Sequence, residues 1–545
     1  MEPPIIKKNE TQSIVPCQTT ALEVIYKSLV WAIFIYAIYI RLSLPLVPFT
    51  GPDSIGYLGV AFNYINTGIF TGIAERPFPY PGFLTILINL TGDASYISLI
   101  QHALGVTGGA LFLKATNLSL SYLPKQAYGW SFIYKFINLT ALFLILNSSW
   151  QVSIEHWTAP EALTMPLMMG YFYCSLKLYG SMRQQKPFWI DFAWSTIFSV
   201  FSFLMFLFQP RFALGFLAAA VFYYISRFVL PGGILRKATL IAIPTALAVL
   251  SAKIPLVSNF PYKPAVECNR SGGLFYYNLK TIIPLIEADI LDSEFSSFNK
   301  SILRQIASDF KAAQAFENAS FSTGYFSTIG YNSDYLMKTY NFVLSKNNGD
   351  FIEATKLYQH YLKKALTVNP AGLASKVYAQ LAHYYSNTIV FQDSQILHYN
   401  KNWAYSFETV KTWKSIFSNK SGSYDLYVNN LDFVSRIKSN YSLPASGLVN
   451  GLFRFLNKCY LAHSAFFLFV LIFSITIKSR YCAAGLFALC IMAFDFFVNL
   501  TISIGATTEV PRYIFDQHSW HIAFLALSLT FTVSVLWTDL IKGYR

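Results

Sequence analysis

The chain has 545 residues, of which 54% are hydrophobic and 12% are charged, and its formal net charge is +14 at pH 7. A soluble globular protein carries about 25% charged residues, so this composition argues against a soluble protein and indicates a membrane protein. The basic residues are scattered between apolar segments, without a basic-aromatic groove or a zinc-ligand pattern, which argues against a nucleic-acid partner. An excess of Lys and Arg in cytoplasmic loops accounts for the charge better.

Apolar runs of about 17–25 residues, the length that crosses a bilayer, predict about ten transmembrane helices. These runs lie near residues 24–48, 94–113, 129–148, 158–179, 188–208, 211–230, 237–254, 459–477, 481–503 and 518–541. If the N-terminus is cytoplasmic, every inside joint carries Lys or Arg, as the positive-inside rule requires. The sequence therefore predicts an all-α polytopic membrane protein.

Three blocks follow from the distribution of the apolar runs. Residues 1–254 form an N-terminal transmembrane module with a first outer loop at 49–82, and residues 459–545 form the C-terminal transmembrane helices. The polar stretch between them, 255–458, is predicted to be a soluble domain on the outer face. This domain is expected to be mostly helical, because Asp350-Phe-Ile-Glu353 resembles a capping box and Asn369-Pro370 ends the pattern that follows.

The six cysteines form no CxxC pair, and most lie in or beside apolar segments. They are therefore interpreted as packing residues, and the sequence predicts no metal site.

The first outer loop contains the first candidate site residue, Asp53, in Gly51-Pro-Asp-Ser-Ile-Gly-Tyr57. A carboxylate just beyond a membrane span can accept a proton from a substrate carried by a lipid, but Asp is also a favoured helix N-cap. Arg76 follows in Arg76-Pro-Phe-Pro-Tyr80-Pro, either as an interfacial anchor or as a phosphate-binding guanidinium.

The joint between the third and fourth predicted spans carries Glu155, His156 and Glu161. Glu161 follows Pro160 at the start of a membrane helix, where the helix dipole favours a carboxylate. Dipole stabilisation and a functional role are both open for Glu161. Glu155 and His156 can also form an ordinary interfacial pair, which is the favoured interpretation for a lone histidine.

Two further outer turns carry arginines. Glu509-Val-Pro-Arg512-Tyr513 places an acid, a cation and an aromatic ring together, and Gln209-Pro-Arg211 places another cation on the same side. Such groups suit a phosphate or sugar hydroxyls, although an exposed ion pair or a snorkelling arginine has the same sequence. Since the predicted topology brings all these residues to the outer boundary of the bilayer, they are expected to share one site.

Several of these motifs resemble those of the GT-C superfamily of polytopic glycosyltransferases, especially the bacterial branch related to protein O-mannosyltransferases and the lipid A aminoarabinose transferase. Asp53-x3-Tyr57-x3-Ala61 with Arg76-Pro-x-Pro-Tyr80-Pro resembles the first outer loop of that family. Thr158-Ala-Pro-Glu161, Gln209-Pro-Arg211 and Glu509-Val-Pro-Arg512-Tyr513 resemble its second acidic site, its arginine turn and its late signature. The resemblance covers about 24–254 and 459–541, and most of the outer domain lies outside it.

The resemblance implies transfer of a hexosyl or pentosyl group from a polyprenyl-phosphate-linked donor to a lipid, glycan or protein acceptor, with inversion. It implies that Asp53 is the general base, that Glu161 orients hydroxyls and that arginines stabilise the phosphate leaving group. The expected substrate-binding residues are Tyr57, Arg76, Tyr80, Glu155, His156, Arg211, Glu509, Arg512 and Tyr513. Many relatives carry an acidic pair in the first loop, whereas Ser54 follows Asp53 here, so a divalent cation is possible but is not supported as an obligatory cofactor.

Two other classes of protein stay open. A transporter or a flippase for lipid-linked glycans places ionisable groups near the midplane, where Asp495 is the one clear acid, but the sequence shows no evident repeat. A non-catalytic assembly protein that presents the outer domain is the third possibility. The expected location is the bacterial inner membrane with the site facing the periplasm, and the endoplasmic reticulum is the alternative because the chain contains Asn-x-Ser/Thr sequons.

Overall fold

The computed structural model describes most of the chain, with gaps. The described residues are 16–69, 79–121, 128–208, 212, 263–295, 297–320, 333–385, 399–417, 422–437, 446–477, 479, 481–505 and 517–537. Within these ranges the structure consists of α-helices, two short 3-10 turns and one isolated parallel β-bridge between Phe49 and Trp157. The prediction of an all-α architecture is confirmed.

The helices are numbered in chain order. The N-terminal block contains α1 (Pro16–Leu42), α2 (Leu58–Thr67), α3 (Pro79–Thr91), α4 (Tyr96–Ser121), α5 (Tyr128–Asn147), α6 (Ser149–Ile154), α7 (Thr164–Arg183) and α8 (Phe188–Phe208). The middle block contains α9 (Lys263–Tyr277), α10 (Leu279–Leu291), α11 (Lys300–Ser320), α12 (Ser333–Lys346), α13 (Phe351–Val368), α14 (Pro370–Tyr385), α15 (Tyr399–Lys411), α16 (Lys414–Phe417) and α17 (Gly422–Ser435). The C-terminal block contains α18 (Ser446–Thr476), α19 (Cys482–Gly505) and α20 (His518–Val535).

Long apolar helices make this a polytopic membrane protein. Seven segments of the described chain are long and apolar enough to cross a bilayer: Ala21–Leu42, Tyr96–Ser119, Phe132–Ile154, Phe188–Phe208, Gly447–Thr476, Ala484–Gly505 and His518–Val535. On α1 the side chains of Trp31 and Ile35 are 67% and 65% exposed. A continuous apolar surface of this kind requires lipid rather than water.

The predicted count of ten spans stays a prediction. Seven of the ten runs correspond to the segments above, and the run at 158–179 corresponds to α7, which is less apolar. Apart from Phe212, the runs at 211–230 and 237–254 lie outside the described residues.

The N-terminal and C-terminal blocks share one hydrophobic core. Helix α7 contacts α4 and α8 of the N-terminal block and α20 of the C-terminal block. The ring of Tyr171 lies 6.1 Å from that of Trp520, and the ring of Phe172 lies 5.8 Å from that of Phe487. The two membrane blocks are therefore packed as one bundle.

The middle block contains the helix start predicted from the sequence. The Asp350 side chain accepts hydrogen bonds from the backbone N–H of Ile352 at 2.7 Å and of Glu353 at 3.4 Å, so α13 begins at Phe351. A new helix, α14, begins at Pro370, as the Asn-Pro pair predicts.

Part of the middle block packs against the membrane bundle. Trp403 on α15 donates a hydrogen bond to the carbonyl of Val47 (2.8 Å), and the Tyr427 hydroxyl on α17 donates to that of Pro48 (2.9 Å). Helices α15 and α17 therefore hold the chain just after α1, where the first outer loop begins. The division of the chain at residues 254 and 458 remains a prediction.

Helix α14 runs antiparallel to α19, and the two share a buried polar interface. The Lys376 ammonium donates to the carbonyl of Ser503, near the end of α19, and the Tyr385 hydroxyl donates to Asp495 Oδ2 at 3.2 Å. Asp495 also contacts His521 Nε2 (2.6 Å) and accepts a hydrogen bond from the Tyr460 hydroxyl (3.1 Å). Since α19 continues to Gly505, a rise of 1.5 Å per residue places Asp495 about 15 Å from that end.

Candidate active site on two paired segments

Two short segments with similar sequences pair beside each other near the C-terminal end of α1. Residues 49–53 read Phe-Thr-Gly-Pro-Asp and residues 157–161 read Trp-Thr-Ala-Pro-Glu, so each contains an aromatic residue, a threonine, a small residue, a proline and an acid. The backbone N–H of Phe49 donates to the carbonyl of His156 (2.6 Å), and that of Thr158 donates to the carbonyl of Phe49 (2.9 Å). These bonds make the parallel bridge between Phe49 and Trp157.

Each paired segment then enters a 3-10 turn with the proline first and the acid second. The turns are Pro52–Gly56 and Pro160–Leu163. Asp53 and Glu161 therefore occupy equivalent positions, each four residues beyond the bridge. Neighbouring strands lie about 4.8 Å apart, so the two segments run alongside each other at the bridge before each turn begins.

Hydrogen bonds continue the pairing as far as the first turn. The Thr158 hydroxyl donates to the carbonyl of Phe49 (3.0 Å), and the Ser54 hydroxyl donates to the carbonyl of Thr158 (3.2 Å). The Trp157 ring packs directly against the backbone of Gly51 and leaves no room for a side chain, since a Cβ at this position would lie 2.8 Å from Cζ3 of Trp157.

Asp53 is not the N-cap of either neighbouring helix. The N-cap of its 3-10 turn is Gly51 and that of α2 is Tyr57. The Ser54 hydroxyl, rather than the Asp53 carboxylate, accepts from the N–H of Gly51 (3.0 Å). Asp53 is partly exposed, whereas Glu161 is 6% exposed, so the two acids offer one accessible and one shielded carboxylate.

Two tyrosines lie beside the acids. The rings of Tyr57 and Tyr80 meet edge to face, with centroids 5.3 Å apart, and both side chains are buried. Burial, together with the nearby carboxylate of Glu161, raises the pKa of Tyr80 well above its ordinary value. Tyr80 therefore stays protonated and donates to Oε1 of Gln101 at 2.8 Å.

Glu155 lies fully buried behind the paired segments. Its carboxylate accepts two hydrogen bonds from Arg41, Nε to Oε2 at 2.7 Å and Nη2 to Oε1 at 2.9 Å, and contacts His102 Nδ1 (2.7 Å) and Gln151 Nε2 (3.0 Å). Burial alone would raise the pKa of Glu155, but the Arg41 guanidinium and the hydrogen bond with His102 together outweigh it and hold that pKa below its usual range. Glu155 is therefore an ionised group whose two oxygens are both engaged.

His156 is also fully buried. Burial lowers the pKa of His156 to about 3, so the ring is neutral, and its Nε2 lies 3.1 Å from the carbonyl of Pro45. The structure thus buries Glu155 and His156 completely, so neither side chain is exposed to bind a substrate directly.

The remaining predicted site residues lie outside the described residues: Arg76, Arg211, Glu509, Arg512 and Tyr513. Phe212, next to Arg211, is buried and stacks on Phe494 of α19 with ring centroids 6.1 Å apart.

Three polar residues of the site were not singled out from the sequence: Arg41, Gln101 and His102. Gln101 Nε2 donates to the carbonyls of Glu155 (2.7 Å) and Trp157 (3.0 Å). A signal was present, since Arg41 is a charge at the end of an apolar run and Gln101-His102 is a polar pair inside another; such residues in membrane helices often mark functional positions.

The chemistry available to this arrangement is proton transfer and hydroxyl binding. Asp53 offers a partly exposed carboxylate and Glu161 a shielded one, while the Tyr80 hydroxyl is engaged with Gln101. Within the described ranges, no group of three or more His, Cys, Asp and Glu residues could hold a metal ion.

The fold and the paired segments define a polytopic helical membrane protein with an acidic site at the end of its bundle. No family model and no curated protein matches the sequence. The chain is similar to the solved structure of ArnT from Cupriavidus metallidurans bound to undecaprenyl phosphate, with 12% identity, a TM-score of 0.29 and coverage of 89% of this chain and 78% of that one. It is also similar to the Archaeoglobus fulgidus oligosaccharyltransferase in the apo form, with 12% identity, a TM-score of 0.35 and coverage of 94% and 51%. Both TM-scores lie below 0.5, so the function proposed below is argued from the chain's own residues.

Proposed function

We propose that this protein is a membrane glycosyltransferase that moves a sugar from a polyprenyl-phosphate-linked donor to an acceptor hydroxyl on a lipid, a glycan or a protein. The observation that supports this most directly is the pairing of segments 49–53 and 157–161, which brings Asp53 and Glu161 to equivalent positions. The proposed location is the bacterial inner membrane, with the site open to the periplasm.

In the proposed reaction, Asp53 accepts the proton of the acceptor hydroxyl. The acceptor oxygen forms a bond to the anomeric carbon, and the bond between that carbon and the phosphate oxygen breaks on the opposite face. The electron pair leaves with the polyprenyl phosphate, and the anomeric centre is inverted. A positioned general base typically contributes about 10²–10⁴-fold to the rate.

Glu161 and the two tyrosines supply the binding surface in this proposal. The shielded carboxylate of Glu161 accepts hydrogen bonds from sugar or acceptor hydroxyls. The Tyr80 hydroxyl proton is donated to Gln101, so the proposed contribution of Tyr57 and Tyr80 is the apolar faces of their rings, on which a sugar stacks.

The phosphate would be bound by arginines that lie outside the described residues. Arg76, Arg211 and Arg512 are proposed to stabilise the negative charge that develops on the leaving phosphate. Glu509 and Tyr513 are proposed to bind hydroxyls beside them. No divalent cation is required by this scheme.

The test is sugar transfer by the purified protein in lipid vesicles that contain a panel of polyprenyl-phosphate-linked sugars. We expect Asp53→Asn to lower kcat by about 10²–10⁴-fold, because the amide cannot accept the proton. Asp350→Asn is the matched control, because it removes a carboxylate but keeps a good N-cap, and it should retain the wild-type rate. A near-wild-type rate for Asp53→Asn would rule out the assignment of the base.

The transporter alternative rests on Asp495, the buried acid at the interface of α14 and α19. Both of its oxygens are occupied, by His521 on one side and by the hydroxyls of Tyr385 and Tyr460 on the other. Lipid scrambling or solute uptake in the same vesicles without chemical turnover would favour that alternative over the transferase.

A further inference from the structure

We infer that Glu155 is a positioning residue, whose buried carboxylate sets the relative placement of Asp53 and Glu161. The inference about placement stands on the contacts of Glu155 alone. Its consequence for turnover rests on the proposed function.

The position of Glu155 links the starts of both paired segments. Arg41 lies in the last turn of α1 and precedes Phe49 by eight residues, while Glu155 precedes Trp157 by two. The two-point contact between Arg41 and Glu155 therefore ties the approach to one segment to the approach to the other. A paired guanidinium and carboxylate of this kind fix orientation as well as distance.

The Arg41 guanidinium is itself held in place. Its Nη1 donates to the carbonyls of Ala37 (3.0 Å) and Leu146 (2.9 Å). Arg41 thus connects α1 to the end of α5, and the side chain cannot turn away from Glu155 without losing hydrogen bonds in a buried environment. Such losses are costly, because a buried polar group that is left without a partner keeps its full desolvation penalty.

Helix α4 holds Glu155 at two places. His102 contacts the carboxylate, while the neighbouring residue, Gln101, donates to the backbone carbonyl of Glu155. Gln101 also accepts from Tyr80 and donates to the carbonyl of Trp157. The same two consecutive residues therefore connect Glu155 to the second paired segment and to a tyrosine of the proposed site.

A glycine on α4 provides the space that the carboxylate occupies. A Cβ at Gly105 would lie 1.9 Å from Oε1 of Glu155 and 2.5 Å from its Cδ. Real Cβ atoms do not approach so closely, so any side chain at residue 105 displaces the carboxylate. This makes the placement of Glu155 testable without removing any charge.

The first experiment compares Glu155→Gln with the wild-type protein. A glutamine keeps the shape but loses the ion pair, so we expect kcat to fall by about 10–10²-fold, as misplacement of reacting groups by about 1 Å does. The KM for the donor should change by less than about threefold, since Glu155 touches no exposed surface. A role limited to overall stability would lower the melting temperature without this split between kcat and KM.

Hydrogen exchange gives a readout that does not depend on activity. The amides of Phe49 and Thr158 donate across the paired segments, so peptides that contain them should lose protection in Glu155→Gln. Peptides from α13, which lies in a separate hydrophobic cluster, should be unchanged.

Gly105→Ala and Gly170→Ala form a matched pair. A Cβ at Gly170, on α7, would lie 2.2 Å from Cε1 of Phe201, which is a purely apolar overlap that involves none of the partners of Arg41 or Glu155. We expect both variants to lower the melting temperature, but only Gly105→Ala to lower kcat and to deprotect Phe49 and Thr158.

The possible results separate the two proposals. If Glu155→Gln and Gly105→Ala keep the wild-type kcat and exchange pattern while Asp53→Asn is inactive, the positioning role is wrong and the transferase stands. If the wild-type protein transfers no sugar, the proposed function fails. Hydrogen exchange at the Phe49 and Thr158 amides then still shows whether Glu155 fixes the relative position of the paired segments.

Discussion

At the scale of single residues, His156 is a fully buried imidazole between two backbone carbonyls. Its Nε2 lies 3.1 Å from the carbonyl of Pro45, and its Nδ1 lies 3.3 Å from that of Val152. The pKa of His156 is lowered to about 3, chiefly because burial disfavours the charged ring. An unfolded histidine instead takes up a proton near pH 6.5.

The unfolding free energy of the protein should therefore decrease as the pH is lowered, because of His156. Between about pH 6.5 and 3 the unfolded state binds a proton that the folded state does not, so this ring costs about 1.4 kcal/mol of unfolding free energy for each pH unit below 6.5. His156→Gln has no such titration. Its stability should depend less steeply on pH between 7 and 5, as measured by thermal unfolding in detergent at a series of pH values.

His360 is the comparison for this prediction. Its pKa is also lowered by burial, but its side chain is only partly buried. His360→Gln should therefore change the pH dependence less than His156→Gln does. Equal slopes for His156→Gln and the wild-type protein would contradict the neutral, buried state assigned to His156.

At the scale of elements, the paired segments depend on the close packing of Gly51 against Trp157. The backbone at Gly51 has φ −105°, which any residue adopts, so an alanine meets only the steric obstacle of the indole ring. We expect Gly51→Ala to lower the unfolding free energy by about 1–3 kcal/mol, the usual cost of overpacking. It should also lower the turnover rate, because the added methyl group displaces the Trp157 ring and, with it, the paired segments 49–53 and 157–161.

Gly451→Ala on α18 is the control for Gly51→Ala. A Cβ at residue 451 meets nothing within 4 Å, so the substitution should leave stability unchanged or raise it by about 0.5–1 kcal/mol. Unfolding and sugar-transfer assays on both variants check the pair. Wild-type stability and turnover in Gly51→Ala would mean that the contact with Trp157 is not required.

How far the sequence predicts these elements depends on the range of the interactions involved. The helices follow from apolar periodicity and from local signals such as the Asp350 cap, and both are present within a few consecutive residues. The pairing of Phe49 with Trp157 joins residues that are far apart in the chain, and the similarity of the two segments becomes visible only when they are compared directly. Glu155 and His156 illustrate the same limit, because their spacing identifies two polar residues at a joint but does not reveal that Arg41, His102 and two carbonyls bury them.

At the scale of the whole molecule, the buried polar interface between α14 and α19 joins the middle block to the C-terminal helices. Asp495 is 1% exposed and is contacted by residues from α14, α18 and α20. Removal of a buried carboxylate leaves these donors without an acceptor. We therefore expect Asp495→Leu to lower the unfolding free energy by about 3–5 kcal/mol.

Asp495→Asn should be milder, since the amide still offers one oxygen to the tyrosine hydroxyls. Limited proteolysis and thermal unfolding of the full chain measure both variants. If Asp495→Leu unfolds like the wild-type protein, the interface does not hold α14 against the bundle.

The separation of Arg41 and Glu155 along the chain also has a consequence for biogenesis. The two residues are 114 positions apart. At about 5–20 residues per second, the ribosome therefore needs roughly 6–23 s between them. During that interval the first helix is in the membrane with a cation whose partner has not been made. We expect the 3-10 turn that carries Asp53 to reach its final position only after α6 and Glu155 have been synthesised. A nascent chain that ends before residue 155 should therefore remain sensitive to proteases in its first outer loop.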